Sequence, residues 1–153
     1  MIEIFLLSSL NSIFYFSSGL FFTKKILDLE INEEQSNIFK FVLYGGIFLA
    51  FLGLLLNFFI SLGKNINTIL LIISFIYLFT VEKKIIIKIL LYSLLIGFAC
   101  SILIIYENTY RPDAGLYHLP FTSVLNNEKI IIGLSNIHFR FGHTSIVQYL
   151  SAL

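Results

Sequence analysis

The sequence predicts an all-α integral membrane protein: four transmembrane helices, an extracytoplasmic loop with short surface helices, and the start of a further membrane helix. Of its 153 residues, 58% are hydrophobic and only 12% are charged, against about 45–50% and roughly 25% in an average soluble domain. The mean hydropathy is +0.91. The apolar residues form long uninterrupted blocks, which is typical of bilayer-spanning helices.

Four apolar blocks predict the four spans, because a membrane-crossing helix needs about 20 mostly apolar residues. Polar segments separate the blocks: a loop over residues 23–37, a tight turn over 63–65, and a charged cluster over 82–84. The third block is the shortest and lies at the lower edge of spanning length. The predicted spans are residues 2–22, 41–62, 66–81 and 85–106.

The distribution of lysines predicts which loops face the cytoplasm, where positive charge concentrates. The first and third loop regions are rich in lysine, whereas the second contains only Lys64. We therefore expect the N-terminus and residues 107–143 on the extracytoplasmic side of a multi-pass plasma-membrane protein. The lysines in the two rich regions are Lys24, Lys25, Lys40, Lys83, Lys84 and Lys88.

Small residues recur along one side of three predicted spans. In lipid, such stripes let helix backbones approach closely. We expect them to pack the helices of one chain together, with self-association of two chains as the alternative. The stripes are Ser8, Asn11, Ser12, Tyr15, Ser18 and Gly19 in the first span, Gly46, Ala50, Gly53 and Asn57 in the second, and Ser93, Gly97, Cys100 and Ser101 in the fourth.

Residues 111–120 carry the most informative polar motif, R-P-D-A-G-L-Y-H-L-P. Asp113 follows a proline and is a natural N-cap for a short helix that Pro120 would end. Asp113 and Tyr117 would then share a face, close to His118. One interpretation is an acid/base site, in which Asp113 accepts a proton from an acceptor hydroxyl that His118 or Tyr117 orients. The alternative is that Asp113 only caps the helix and His118 is an interfacial residue.

A second cluster, residues 133–143, combines an arginine with histidines. As a helix it would place Asn136, Arg140 and His143 on one face. As a strand it would place His138 and Arg140 opposite the neighbouring phenylalanines, and the sequence leaves both possibilities open. Because a guanidinium offers bidentate donors, an arginine with histidines at an extracytoplasmic membrane surface suits a phosphate or pyrophosphate headgroup. An ordinary interfacial basic cluster with aromatic anchors is the alternative.

Composition and spacing argue against several classes of function. A net charge of +1 and the lack of a long basic run give no reason to expect nucleic acid. One cysteine, Cys100, permits neither a disulfide within the chain nor a cysteine-based metal site. His138 and His143 match no familiar zinc spacing, and there is no D-x-D pair. We therefore expect no metal and no cofactor.

The chain turns apolar again over residues 144–153, after the polar segment. This run predicts the opening of a further membrane helix. We therefore expect this chain to be the N-terminal part of a longer protein.

The two polar motifs resemble a known family. D-A-G-L-Y-H-L-P at residues 113–120, followed by G-L-S-N-I-H-F-R-F-G at residues 133–142, is similar to a family of large bacterial polytopic membrane proteins. That family is related to the GT-C class of membrane glycosyltransferases. The resemblance covers about the last third of the chain; the preceding spans match only in being hydrophobic.

The resemblance implies transfer of a sugar from a polyprenyl-phosphate-linked donor, in envelope polysaccharide or lipid glycosylation. The reaction would take place on the extracytoplasmic face of the bacterial inner membrane. Asp113 matches the base that activates the acceptor, and His118 and Arg140 match contacts to the donor phosphate or the acceptor. The expected partners are the lipid bilayer and a lipid-linked sugar donor. The non-enzymatic alternatives are a transporter or flippase fragment and a small membrane scaffold subunit.

Overall fold

The computed structural model describes residues 2–29, 38–106, 114–136, 139–142 and 145–153. Every secondary-structure element in these ranges is helical, which confirms the all-α prediction for the described part of the chain. In chain order the elements are α1 (Ile2–Phe21), a π-helical turn (Phe22–Ile26), α2 (Phe39–Asn57), α3 (Lys64–Leu78), α4 (Lys83–Tyr106), a second π-helical turn (Ala114–His118), α5 (Leu119–Asn127), two 3-10 turns (Leu134–Asn136 and Phe139–Gly142) and α6 (Ile146–Ala152).

Within the described residues, three helices are long and apolar enough to cross a membrane: Ile2–Ile26, Phe39–Asn57 and Lys83–Tyr106. The 19 residues of α2 are about 28 Å long at a rise of about 1.5 Å per residue, close to the roughly 30 Å of a hydrocarbon core. The 15 residues of α3 make only about 22 Å. The helix predicted as the third span is therefore apolar but shorter than a typical spanning helix.

The first helical segment extends further than the sequence predicts. The loop predicted from Thr23 onwards is wrong for its first residues, because helix continues as a π-helical turn through Ile26. The Thr23 hydroxyl donates to Gly19 O at 2.8 Å, so this polar side chain bonds to the helix that precedes it. Residues 30–37 of the predicted loop lie outside the described residues.

The second predicted span, by contrast, ends early, at Asn57 instead of residue 62. The backbone N–H of Leu62 donates to Leu125 O at 2.8 Å, so this stretch bonds to α5 and no longer continues α2. The apolar run that continues past Asn57 conceals this helix end in the sequence.

The turn predicted at residues 63–65 is shorter than expected, because α3 begins at Lys64. Gly63 O accepts the backbone N–H of Ile66 at 3.0 Å, which closes the first helical turn. A Cβ on Gly63 would lie 2.9 Å from Asn126 O, so the close approach of α5 favours glycine here.

The chain divides into two compact units. Unit 1 comprises Met1–Phe48 and Leu71–Thr109, and unit 2 comprises Leu49–Leu70 and Tyr110–Leu153. The first half of α2 and the second half of α3 therefore belong to unit 1, and their other halves belong to unit 2.

Close backbone approaches hold the helices of unit 1 together. A Cβ on Gly97 of α4 would overlap Ser9 Oγ of α1 and lie 3.1 Å from Phe5 O. A Cβ on Gly45 of α2 would lie 2.9 Å from Gly19 N. The small-residue stripe predicted on α4 is thus confirmed as a packing surface within the chain, although its partner Ser9 was not in a predicted stripe. Gly45, which meets Gly19 of the stripe predicted on α1, was not in a predicted stripe either.

The apolar core of unit 1 joins one end of each of its four helices. The C-terminal parts of α1 and α3 meet the N-terminal parts of α2 and α4 there, so consecutive helices alternate in direction. The hydroxyls of Ser18 in α1 and Ser74 in α3 lie 3.1 Å apart and share a hydrogen bond. The buried residues of this core are Phe16, Leu20, Ile38, Phe41, Leu78, Val81, Ile85 and Ile89.

Unit 2 has its own apolar core, built from the α2–α3 connection, α5 and α6. Its buried residues are Leu62, Phe121, Leu125, Tyr149 and Ala152. The last two belong to α6, a helix of seven residues. The further membrane helix expected from residue 144 stays a prediction.

Candidate functional site

Asn57 fixes the end of α2 to the segment that carries the polar motifs. Its side chain is fully buried, and Nδ2 donates to Glu128 O at 3.0 Å and to Leu125 O at 3.4 Å. The backbone N–H of Ile130 donates to Asn57 O at 2.8 Å. The C-terminal end of α5 is therefore held beside the C-terminal end of α2.

Two further amides hold α6 in place. Asn67 Nδ2 donates to Ala152 O at 2.9 Å. The Asn126 amide, with its nitrogen facing two backbone carbonyls, donates to Leu62 O and Ala152 O, each at 3.0 Å. Because the last carbonyls of a helix have no partner within it, these bonds satisfy the end of α6 and position it against α5.

Tyr117 and His118 lie on the π-helical turn that leads into α5. Their ring centroids are 4.2 Å apart and the rings are tilted by 42°. Tyr117 is half-buried and His118 is exposed. The Thr122 hydroxyl donates to His118 O at 2.9 Å. The His118 backbone is thus held in the helix while its imidazole remains accessible to a ligand.

Pro120 does not end the helix, contrary to the prediction. It lies in the first turn of α5, where the N–H that proline lacks would have had no partner within the helix. Helical structure therefore continues from Ala114 to Asn127.

The π-helical turn, α5, α6 and Phe139 enclose a cleft of about 920 Å³. An imidazole, a phenol, three hydroxyls and an amide supply its polar groups, and three apolar side chains complete the lining. Such a mixed lining suits a ligand that carries both hydroxyl groups and apolar surface. The cleft is lined by Tyr117, His118, Leu119, Thr122, Phe139, Ser145, Val147, Gln148 and Ser151.

A capping box sets the start of α6 and hence one wall of the cleft. The N–H of Val147 donates to Ser145 Oγ at 3.3 Å, and the N–H of Ser145 donates to Gln148 Oε1 at 3.2 Å. This reciprocal pairing orients Ser145 and Gln148. Neither residue was predicted from the sequence, nor were Thr122 and Ser151. The S-x-x-Q signature at residues 145–148 could have indicated the start of this helix.

The model of one protein family matches residues 1–153, the whole of the chain. That family is described as a domain of unknown function, DUF8201. The chain belongs to this family. No curated protein and no solved structure matches the chain.

Two of the residues predicted to form the site of this DUF8201 chain, Tyr117 and His118, line the cleft. Asn136 is exposed and does not line the cleft. The backbone of Arg140 lies in the second 3-10 turn, and its side chain is outside the description. Asp113, His138 and His143 lie outside the described residues.

Neither arrangement considered for residues 133–143 occurs in the described part of this segment. Leu134–Asn136 and Phe139–Gly142 are separate 3-10 turns, and neither is an α-helix or a strand. Gly133, with φ of 91°, adopts a left-handed conformation just before the first turn. Within the described ranges, no three His, Cys, Asp or Glu side chains lie close enough together to hold a metal ion.

Proposed function

We propose that this chain belongs to a membrane glycosyltransferase-like protein that uses a polyprenyl-phosphate-linked sugar as its donor. The observation that carries the proposal is the cleft at Tyr117 and His118. A sugar can exchange hydrogen bonds with the hydroxyls and the amide of this cleft, and its apolar side chains suit the isoprenoid part of the donor. In the chain, Asp113 directly precedes the helical turn that bears both residues.

In the proposed reaction, Asp113 accepts the proton of the acceptor hydroxyl while the hydroxyl oxygen attacks the anomeric carbon of the donor sugar. The bond between that carbon and the phosphate oxygen breaks, and polyprenyl phosphate leaves with the electron pair. His118 and Arg140 bind the phosphate, both in the bound donor and in the leaving polyprenyl phosphate. Tyr117 orients the acceptor.

We also propose that α3 is a fourth span. The hydrogen bond from Leu62 N–H to Leu125 O requires these residues to lie on the same side of the membrane. The chain between them must then cross an even number of times. α4 is long enough to supply one crossing, so α3 supplies the other. A short span can be accommodated by local thinning of the bilayer.

The lysine-rich connections then define the orientation. With four spans, residues 23–37 and 82–84 face the cytoplasm. The cleft of unit 2 faces the extracytoplasmic side of the bacterial inner membrane, where lipid-linked sugars are the expected donors.

The test compares the wild-type full-length protein with Asp113→Asn and Asp28→Asn in membrane vesicles. The donors are a panel of radiolabelled undecaprenyl-phosphate hexoses. Asp28 is exposed and has φ of 50°, a conformation that Asn tolerates about as well as Asp, so it makes a matched control. We expect Asp113→Asn to lower transfer about 10²- to 10⁴-fold and Asp28→Asn to leave it unchanged. Wild-type transfer by Asp113→Asn would contradict the assignment of the base.

A further inference from the structure

Unit 2 contains a second cavity, of about 440 Å³, whose walls are the segment after α5, parts of α5 and α6, and Leu54 of α2. It shares no lining residue with the cleft at His118. Its volume falls within the range of sites that bind small molecules or lipid chains, roughly 300–1,000 Å³. It is therefore a separate candidate binding site.

The lining of this second cavity is apolar except at one edge. Isoleucine, leucine, phenylalanine and valine side chains dominate it, and Lys129 is the only charged residue in the described lining. Glu128 is adjacent in the chain but does not line the cavity. The cavity thus pairs an apolar interior with one cationic group.

Two large apolar side chains at the rim of the cavity are exposed. Ile132 is 96% exposed and Ile131 is 43% exposed. Such exposure in water is unfavourable, whereas contact with lipid removes the cost. Ile130, the preceding residue, is hydrogen-bonded to Asn57 at the end of a helix of spanning length. A bilayer crossed by α2 would place this rim where the hydrocarbon core gives way to headgroups.

We propose that this cavity binds one acyl chain of an anionic phospholipid, with the lipid phosphate against Lys129. The apolar lining receives the chain, Ile131 and Ile132 contact the surrounding bilayer, and the ammonium group selects for negative headgroups. This lipid is a bound partner and not the sugar donor. The proposal holds whether or not the protein transfers sugars.

The first test measures lipid binding to the purified full-length protein in detergent by native mass spectrometry. The probes are phosphatidylglycerol and phosphatidylcholine with identical acyl chains. We expect Lys129→Gln to weaken phosphatidylglycerol binding about fivefold, the effect of one lysine near a membrane surface. Phosphatidylcholine binding should weaken less, because the choline ammonium offsets the charge of its phosphate. Lys64→Gln is the matched control, since Lys64 is exposed in the same unit and does not line the cavity.

A second pair of variants tests the apolar part of the site. Val124→Phe fills the cavity from α5 at a half-buried position, and Ile131→Trp narrows it from the exposed rim without altering the core. We expect either substitution to lower binding of both lipids at least threefold in protein that retains its thermal unfolding transition. The proposal is overturned if Lys129→Gln binds phosphatidylglycerol like the wild type, or if Lys64→Gln loses as much. Undiminished lipid binding in both filling variants, or occupation of the cavity by a second copy of the chain, would overturn it too.

Discussion

Asn57 of α2 donates from Nδ2 to the backbone carbonyl of Glu128 at 3.0 Å. Glu128 is the residue at the C-terminal cap of α5, so this bond joins the end of a helix of spanning length to the segment that lines the second cavity. A buried amide that serves several carbonyls is costly to remove, because each carbonyl loses its partner away from water.

Replacing Asn57 by alanine is therefore expected to destabilise the protein by about 1–3 kcal/mol. Thermal unfolding of the purified protein in detergent micelles measures the effect. Asn65→Ala serves as the control, since Asn65 lies on an exposed position of α3. Equal transitions for the two variants would mean that the Asn57 amide does not hold α5 in place.

The glycine contacts of unit 1 predict which second substitution restores the stability that a glycine-to-alanine change removes. Gly97→Ala is expected to cost about 1–3 kcal/mol through overpacking, and Ser9→Ala is expected to restore part of the loss because it removes the overlapping Oγ. Gly45→Ala meets the backbone oxygen of Tyr15 instead. Tyr15→Ala should therefore restore nothing. Unfolding transitions of the four single variants and the two double variants measure the difference.

The opposite pattern, with Tyr15→Ala rescuing Gly45→Ala and Ser9→Ala failing to rescue Gly97→Ala, would contradict the packing described for α1.

The proposed roles at the cleft predict different kinetic effects for its residues. His118→Asn is expected to raise KM for the lipid-linked donor more than tenfold with a smaller fall in kcat, because it removes a contact to the phosphate. Asp113→Asn is expected to act mainly on kcat. Gly115→Ala is the control in the same turn, since a Cβ there meets no atom within 4 Å. Unchanged KM in His118→Asn would exclude the phosphate contact.

Hydropathy predicted the four long helices α1 to α4, because long apolar blocks carry that information directly. The helix ends were less predictable. Residues 58–60 continue the apolar run of α2, yet the backbone after Asn57 turns away and bonds to α5. Such an end depends on a partner more than 60 residues away in the chain, which no local pattern reports.

The candidate site was predictable only in part. The motif around Tyr117 and His118 stands out because polar residues follow a long apolar block. Gln148 and Ser151 reach the same cleft from α6, and only tertiary packing brings them there. Pro120 was misread because proline both ends helices and begins them, and the sequence alone does not decide between the two.

Four membrane crossings, with the cleft on the extracytoplasmic side, are tested most directly by labelling single cysteines with a membrane-impermeant maleimide. In a Cys100→Ala background, four exposed positions are replaced one at a time: Lys25, Asn65, Lys83 and Ser123. We predict that Asn65→Cys and Ser123→Cys label in intact cells, and that Lys25→Cys and Lys83→Cys label only after permeabilisation. Labelling of Lys83→Cys and Asn65→Cys from the same side, with Ser123→Cys on the other, would show that α3 does not cross and would contradict the proposed site.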